Sequence, residues 1–320
     1  MTTRFAALLQ EMSPAEAAIM DTLADSGFTR LGDGRLPEVD DPSRAVRAEF
    51  LRALIVGGAE VPRVHEKGVR LAGAWITGAL DLEGCELAND VALVDCRFES
   101  SLVLRSARVE TVFLDGSRLP GLPAERLDAA GGLYLRSARV TGPVVVAGGR
   151  LRGELVLDGA RIDGTDGIAV ELERVRAEAG LFLRGAVVRG GVRLAGARLE
   201  ARIDAVGLAI ERPGGVAFDA DGAATRGDLV LRHARIRGET TLVGARIGGD
   251  VAFDGGRFDA PGGIAIRLKR AVVDGAFFLR EGAVVAGGLS LNGASLGAVV
   301  DDPASWPRAG DLLLNRCLYG

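Results

Sequence analysis

The chain has 320 residues, 48% of them hydrophobic and 26% charged, with a formal net charge of −4. That mixture excludes wholesale disorder, and the absence of a basic balance excludes a general nucleic-acid binder. With 46 glycines but only 11 Phe, 2 Tyr and 2 Trp, a thin core of aliphatic and small residues is expected, with no rings inside.

The N-terminal run Met1-Thr-Thr-Arg-Phe-Ala-Ala-Leu-Leu-Gln-Glu-Met lacks a secretory pattern, because its apolar stretch is two leucines long and ends in acid. No window holds the 18 or so apolar residues of a membrane span. Cys85, Cys96 and Cys317 make an odd count without disulfide-framework spacing. The expectation is a reduced, cytoplasmic protein with no transmembrane segment.

Residues 1–64 read as an α-helical cap. Ser13-Pro14-Ala15-Glu16 is a capping box with proline at the first helical position. It predicts a helix through Ala17, Ile19, Met20 and Leu23 that stops near Gly27. A second helix is expected from Asp41-Pro42-Ser43, since Val46, Phe50, Leu51, Leu54 and Ile55 share one face and Gly57-Gly58 follows. Its apolar stripe is read as packing on the neighbouring domain.

From Val69 the chain repeats. The unit is apolar–x–apolar–x–x–small–x–apolar, as in Leu102-Val-Leu104-Arg-Ser-Ala107-Arg-Val109 and Leu155-Val-Leu157-Asp-Gly-Ala160-Arg-Ile162. Its second members fall at 71, 82, 93, 104, 114 and 124, three steps of eleven followed by two of ten. Short strands broken by glycine-containing corners fit this pattern, and a fixed period marks a solenoid. Leu135, Leu183, Leu231 and Leu279 recur every 48 residues, each followed by arginine. Insertions sit at Thr165–Gly167, Pro213–Gly215 and Pro261–Gly263. Two coils of 22 plus one four-residue loop account for 48, so the loops should stack along one edge at every second coil.

The outward residues of alternate units support 22 residues per coil. Odd units carry Arg70, Ala92, Phe113, Tyr134, Val156, Phe182, Asp204, Val230, Ala252 and Phe278. Even units carry Asp81, Val103, Pro123, Val145, Glu171, Arg193, Ala217, Thr241, Arg267 and Ser290. All four outward aromatics fall in the odd set. The fold expected is therefore a mainly β, parallel, four-sided solenoid over residues 65–320. About eleven coils at ~4.8 Å each make a rod of ~50 Å.

The runs Ala160–Gly164 and Gly196–Leu199 resemble the pentapeptide-repeat family, whose motif is a small residue, any residue, Leu or Phe, and two turn residues. Every second quintet here is lengthened by one residue, as in Glu154-Leu-Val-Leu-Asp-Gly159, so the chain looks like a degenerate relative over residues 69–320. The resemblance implies a right-handed β-helix. The chain also resembles a group of uncharacterised bacterial β-solenoids with a helical N-terminus, some loosely labelled as membrane-associated oxidoreductases. Function does not follow from fold.

No Gly-x-Gly-x-x-Gly and no P-loop is present, and neither lysine follows a glycine-rich turn. No cofactor is expected. Cys85 and Cys96 fill the slot that alanine takes in adjacent units, and His65 and His233 lie far apart. They read as packing, junction and turn residues, and no metal site is expected. Asp115, Asp158 and Asp254 each precede glycine, which reads as aspartate bonding the local backbone at a corner. No catalytic residue is assigned.

Residues 69–320 hold 32 acids and 31 bases. Outward arginines recur at Arg97, Arg108, Arg118, Arg139, Arg150, Arg161, Arg176, Arg198, Arg235, Arg246 and Arg257. That row reads as a solvated face of mixed charge, or as a surface for an anion or acidic partner. The function expected is a non-enzymatic protein–protein interaction or scaffold solenoid. Its contact stripe would be Phe113, Tyr134, Val156, Phe182, Val230 and Phe278, for a protein partner that the sequence does not identify. Self-association is expected end to end through Leu312, Leu313, Leu314, Leu318 and Tyr319. Alternatives are a DNA-mimicking regulator of a DNA-processing enzyme, which would need a continuous acidic face, and a carbohydrate-active β-helix, which would need paired carboxylates in a groove. No direct nucleic-acid binding is expected.

Overall fold

The computed structural model describes residues 4–38 and 40–320; Met1–Thr3, where the reading of the N-terminus begins, and Val39 lie outside the described residues. The chain forms a parallel β-solenoid of about eleven turns with a few short helices near the N-terminus. A middle coil shows how the repeat folds. Asp128–Ala129, Leu133–Tyr134, Arg139–Val140 and Val144–Val145 are four short strands on successive sides. The first two belong to one continuous parallel sheet and the last two to a second. The apolar positions of each unit face inward: Leu102, Leu104, Ala107 and Val109 are all buried. Between strands the chain turns through one residue with positive φ, for example Gly159 at 65°.

The period is what the sequence spacing implies. The outward residues Arg70, Ala92, Phe113, Tyr134 and Val156 are direct ladder partners, one per coil. Phe182, Asp204, Val230, Ala252, Phe278 and Val300 continue the same ladder. The coil lengthens wherever a loop is inserted, and the register shifts at Asp163/Ile168, Glu211/Val216 and Asp259/Ile264. The three loops stack on one edge at every second coil, and each leans on the coil that follows. A Cβ on Gly238 (φ 122°) would stand 2.4 Å from the carbonyl oxygen of Arg212, so only glycine lets the Arg212–Val216 loop lie there.

Two expectations about side chains need correction. Ala217 is not an outward residue: it is buried, and Asp219 is the ladder partner of both Arg193 and Thr241. Asp219 lies 48 residues from both Glu171 and Arg267, so it is the residue that keeps the period of this ladder. Rings also do enter the tube. Phe218, Phe253, Phe258 and Phe277 are fully buried, and Phe253 meets Phe258 and Phe277 edge-on at 4.9 and 5.7 Å. Room comes from glycine in the small-residue slot: a Cβ on Gly256 would lie 2.6 Å from the Phe258 ring.

The N-terminal segment closes one mouth of the tube. Helix α1 spans Arg4–Gln10, α2 Pro14–Thr22 and α3 Ala48–Val56. The capping box of α2 is complete, with Glu16 N–H donating to Ser13 Oγ and Ser13 N–H to Glu16 Oε2, both at 3.1 Å. α2 ends at Thr22, earlier than the expected stop near Gly27. The second helix also starts later than expected. Pro42–Arg44 is a 3₁₀ turn and Ala45–Arg47 a strand. That strand pairs in parallel with Trp75–Thr77, and Val46 lies buried opposite Ile76. The open edge of the first coil offers unpaired backbone groups, and satisfying them outweighs the helical periodicity of this stretch. Thr29–Arg30 likewise pairs with Leu71–Ala72, so strands from within residues 1–64 extend the solenoid stack. α3 then buries Phe50, Leu51 and Leu54.

Candidate functional site

The six stripe residues Phe113, Tyr134, Val156, Phe182, Val230 and Phe278 share one ladder, interrupted by Asp204 and Ala252. Phe113 and Tyr134 stack at 5.0 Å with 10° between their planes. The stripe is less bare than its composition suggests. Val156 is buried between its ring neighbours. Tyr134 and Phe182 fold back over Gly132 and Gly180, where a Cβ would stand 2.8 and 2.9 Å from the ring carbons. Guanidinium groups then roof the rings: Arg136 over Tyr134 at 4.5 Å, Arg184 over Phe182 at 5.0 Å and Arg280 over Phe278 at 4.6 Å. At the start of the row, Arg70 lies over Phe28 of the N-terminal segment at 4.5 Å.

Those arginines are held by the aspartates of the neighbouring coil. Asp115 accepts the backbone N–H of Arg136 at 2.7 Å and pairs with its guanidinium at 3.3 Å. Asp158 does the same for Arg184, at 2.8 and 2.5 Å, and Asp254 pairs with Arg280 at 3.3 Å. These aspartates therefore bond across coils, 21 or 26 residues away, rather than to their local corner as expected. The cross-coil partner is charged and supplies both an amide and a guanidinium, which a local amide alone does not match.

The last coil is the second candidate surface. Leu312, Leu314 and Tyr319 occupy the slots that Leu289, Leu291 and Leu296 hold one coil earlier. Leu289, Leu291 and Leu296 are 0%, 1% and 4% exposed, whereas Leu312, Leu314 and Tyr319 are 45%, 44% and 69% exposed. Leu318 is 68% exposed at an outward position, and Leu313 is the half-buried outward partner of Ser290. The five residues all belong to the last coil, three of them at core-lining slots and two facing outward from two different sides.

In the middle of the solenoid two carboxylates share one arginine. Glu171 and Asp219 lie two coils apart with Arg193 between them, at 3.1 and 3.5 Å. Burial, more than any neighbouring charge, pushes both carboxyls above their ordinary range. Among the described residues no group of three or more His, Cys, Asp and Glu is placed to hold a metal ion. Cys96 faces inward and is fully buried, and its thiol is pushed up to about 12 by desolvation. Cys85 is half-buried beside Arg52 Nη2 at 3.6 Å. His65 bridges the cap and the first coil, its N–H donating to the Leu23 carbonyl at 3.0 Å, and His233 is an exposed turn residue with φ of 56°. No described helix is long and apolar enough to cross a membrane.

Comparison with family models, with curated proteins and with solved structures gives no match for this chain.

Proposed function

We propose that the chain is a non-enzymatic scaffold that self-associates end to end through its last coil. The observation that carries this reading is the exposure of Leu312, Leu314 and Tyr319 at core-lining positions. The strands Leu312–Leu313 and Leu318–Tyr319 also leave one edge unpaired, which is a template for pairing with another chain. A second copy placed by a two-fold axis covers the same residues on both partners. The mouth at the other end is closed by α3, so the interface is isologous and yields a dimer rather than a filament.

The reading extends to the stripe as a contact face for a protein partner, with Phe113, Tyr134 and Val230 as its apolar centre and the roofing arginines as its rim. The charge pattern supports a scaffold over a DNA mimic, because the acids of the described ladders alternate with arginine instead of forming rows. Kinship with pentapeptide-repeat proteins, and the handedness that it implies, also belongs to this proposal; a coil of about 22 residues with four short strands supports it.

Sedimentation velocity across a concentration series tests self-association. The expected result is a monomer–dimer equilibrium that Leu314→Asp abolishes while the circular dichroism spectrum is unchanged. A wild-type chain that stays monomeric at every concentration would overturn it.

A further inference from the structure

On one side of the solenoid, Arg97, Arg118, Arg139 and Arg161 stand in direct register across four consecutive coils. Adjacent strands are about 4.8 Å apart, so the four cations span roughly 14 Å along the rod. Like charges placed directly opposite one another destabilise a sheet. Arg97 is compensated, since it pairs with Asp40 at 3.0 Å and donates to the Glu38 carbonyl at 2.8 Å. Among the described residues Arg118, Arg139 and Arg161 make no ion pair and no side-chain hydrogen bond.

Asp95 lies beside Gly116 but pairs with none of the three arginines, and the other acids nearby are already engaged. Asp115 and Asp158 hold Arg136 and Arg184, Asp163 pairs with Arg189 at 3.5 Å, and Glu99 accepts the N–H of Gly78 at 2.6 Å. Two residues beyond Arg118 and Arg139 in the chain come Pro120 and Thr141, which are neutral. A second arginine run, Arg150, Arg176 and Arg198, likewise makes no ion pair among the described residues, but Asp128 and Glu178 stand beside it without a cationic partner, while Glu200 is held by Arg226 at 2.6 Å. This run lies along a groove of about 550 Å³ that Asp128, Glu178 and Glu200 also line.

We propose that the Arg118–Arg139–Arg161 ladder binds a linear polyphosphate laid along the rod axis. Each guanidinium is a planar fork suited to phosphate oxygens. Matching this ladder takes at least one negative charge per coil height, and a polyphosphate chain meets that in any register. An extended peptide with acids on one face repeats every second residue, at about 6.6 Å, and falls out of step. Single-stranded nucleic acid gains much of its affinity from aromatic stacking platforms, and Pro120 and Thr141 supply none.

Titration calorimetry on the full chain tests the proposal, using a medium-length polyphosphate, with oligo-deoxythymidine and poly-glutamate of matched charge as comparisons. Polyphosphate should bind more tightly than either. Arg139→Glu should weaken it at least ~10-fold, equivalent to ~1.4 kcal/mol, whereas Arg176→Glu should change it less than ~3-fold. Arg139→Gln should lower the slope of log K against log salt by about one, as counterion release requires. Equal melting temperatures for the variants and the wild type separate binding from folding. The proposal is overturned by no measurable binding to the wild type, by equal losses in Arg139→Glu and Arg176→Glu, or by oligo-deoxythymidine or poly-glutamate binding as tightly as polyphosphate.

Discussion

The carboxylate of Asp158 receives both the backbone N–H and the guanidinium of Arg184 one coil further on, at 2.8, 2.9 and 2.5 Å. The same guanidinium lies over the Phe182 ring. One aspartate thus fixes the stacking of two coils and the roof of an aromatic ring. Asp158→Ala removes the acceptor from an amide and a cation together, and should cost ~1–3 kcal/mol. Asp158→Asn keeps an acceptor and should cost less. Urea unfolding midpoints check the order, and an Asp158→Ala variant as stable as the wild type would show that the coils stack without this clamp.

At the N-terminal mouth, Glu16 is fully buried while it caps α2 and binds Arg47 through the backbone N–H at 2.9 Å and the side chain at 2.9 and 2.7 Å. Arg47 also donates to the Leu8 carbonyl at 2.9 Å. Arg47→Ala strands a buried carboxylate and should cost ~3 kcal/mol or more. Adding Glu16→Gln to it should restore part of the loss, because the uncompensated charge is gone. A double variant less stable than Arg47→Ala would contradict this account of the clamp.

Gly238 and Gly262 both have positive φ, but only Gly238 lies under a loop. Its Cβ would meet the Arg212 and Gly215 carbonyl oxygens at 2.4 and 2.8 Å, whereas nothing lies within 4 Å of a Cβ on Gly262. Gly262→Ala should therefore cost only the backbone term, ~1–2 kcal/mol. Gly238→Ala should cost more, above ~3 kcal/mol, and should displace the Arg212–Val216 loop. Thermal melts with proteolysis at that loop separate the two, and equal losses would mean that the loop does not rest on its neighbour.

Cys96 is desolvated in the core, and its thiol is raised from 9.0 to about 12. Because the folded state holds its proton more tightly than the unfolded chain, the contribution to stability is full below about pH 9. It then fades as the pH rises toward 12. At pH 8 an alkylating reagent should leave Cys96 untouched in the folded protein and modify it on unfolding, as mass spectrometry of the digest can show. Ready labelling of native Cys96 would place the thiol outside the core.

Much of this was legible in the sequence, because a period is a geometric statement. The ladder from Arg70 to Phe278 follows from counting alone, and so do the insertions at Thr165–Gly167, Pro213–Gly215 and Pro261–Gly263, which fall inside the register shifts. What failed did so for local physical reasons. Ala217 falls two residues short of the 48-residue period that links Glu171, Asp219 and Arg267, and it is buried while Asp219 takes the ladder position. Val46 has helical spacing to Phe50, yet it sits in a strand because the first coil has an open edge. Asp115 and Asp158 look like corner residues, but their partners are amides of the next coil, and amides leave no mark in sequence. The arginines that roof the stripe were visible as a repeat, whereas their contact with the rings was not.

In the proposed dimer a second copy covers the last coil. Hydrogen–deuterium exchange of the Leu312–Tyr319 amides, measured from a dilute to a concentrated sample, tests it most directly. Protection of this segment should rise with the dimer fraction, and Leu314→Asp should remove that dependence. Exchange at Leu312–Tyr319 that is the same in monomer and dimer would place the interface elsewhere and contradict the account.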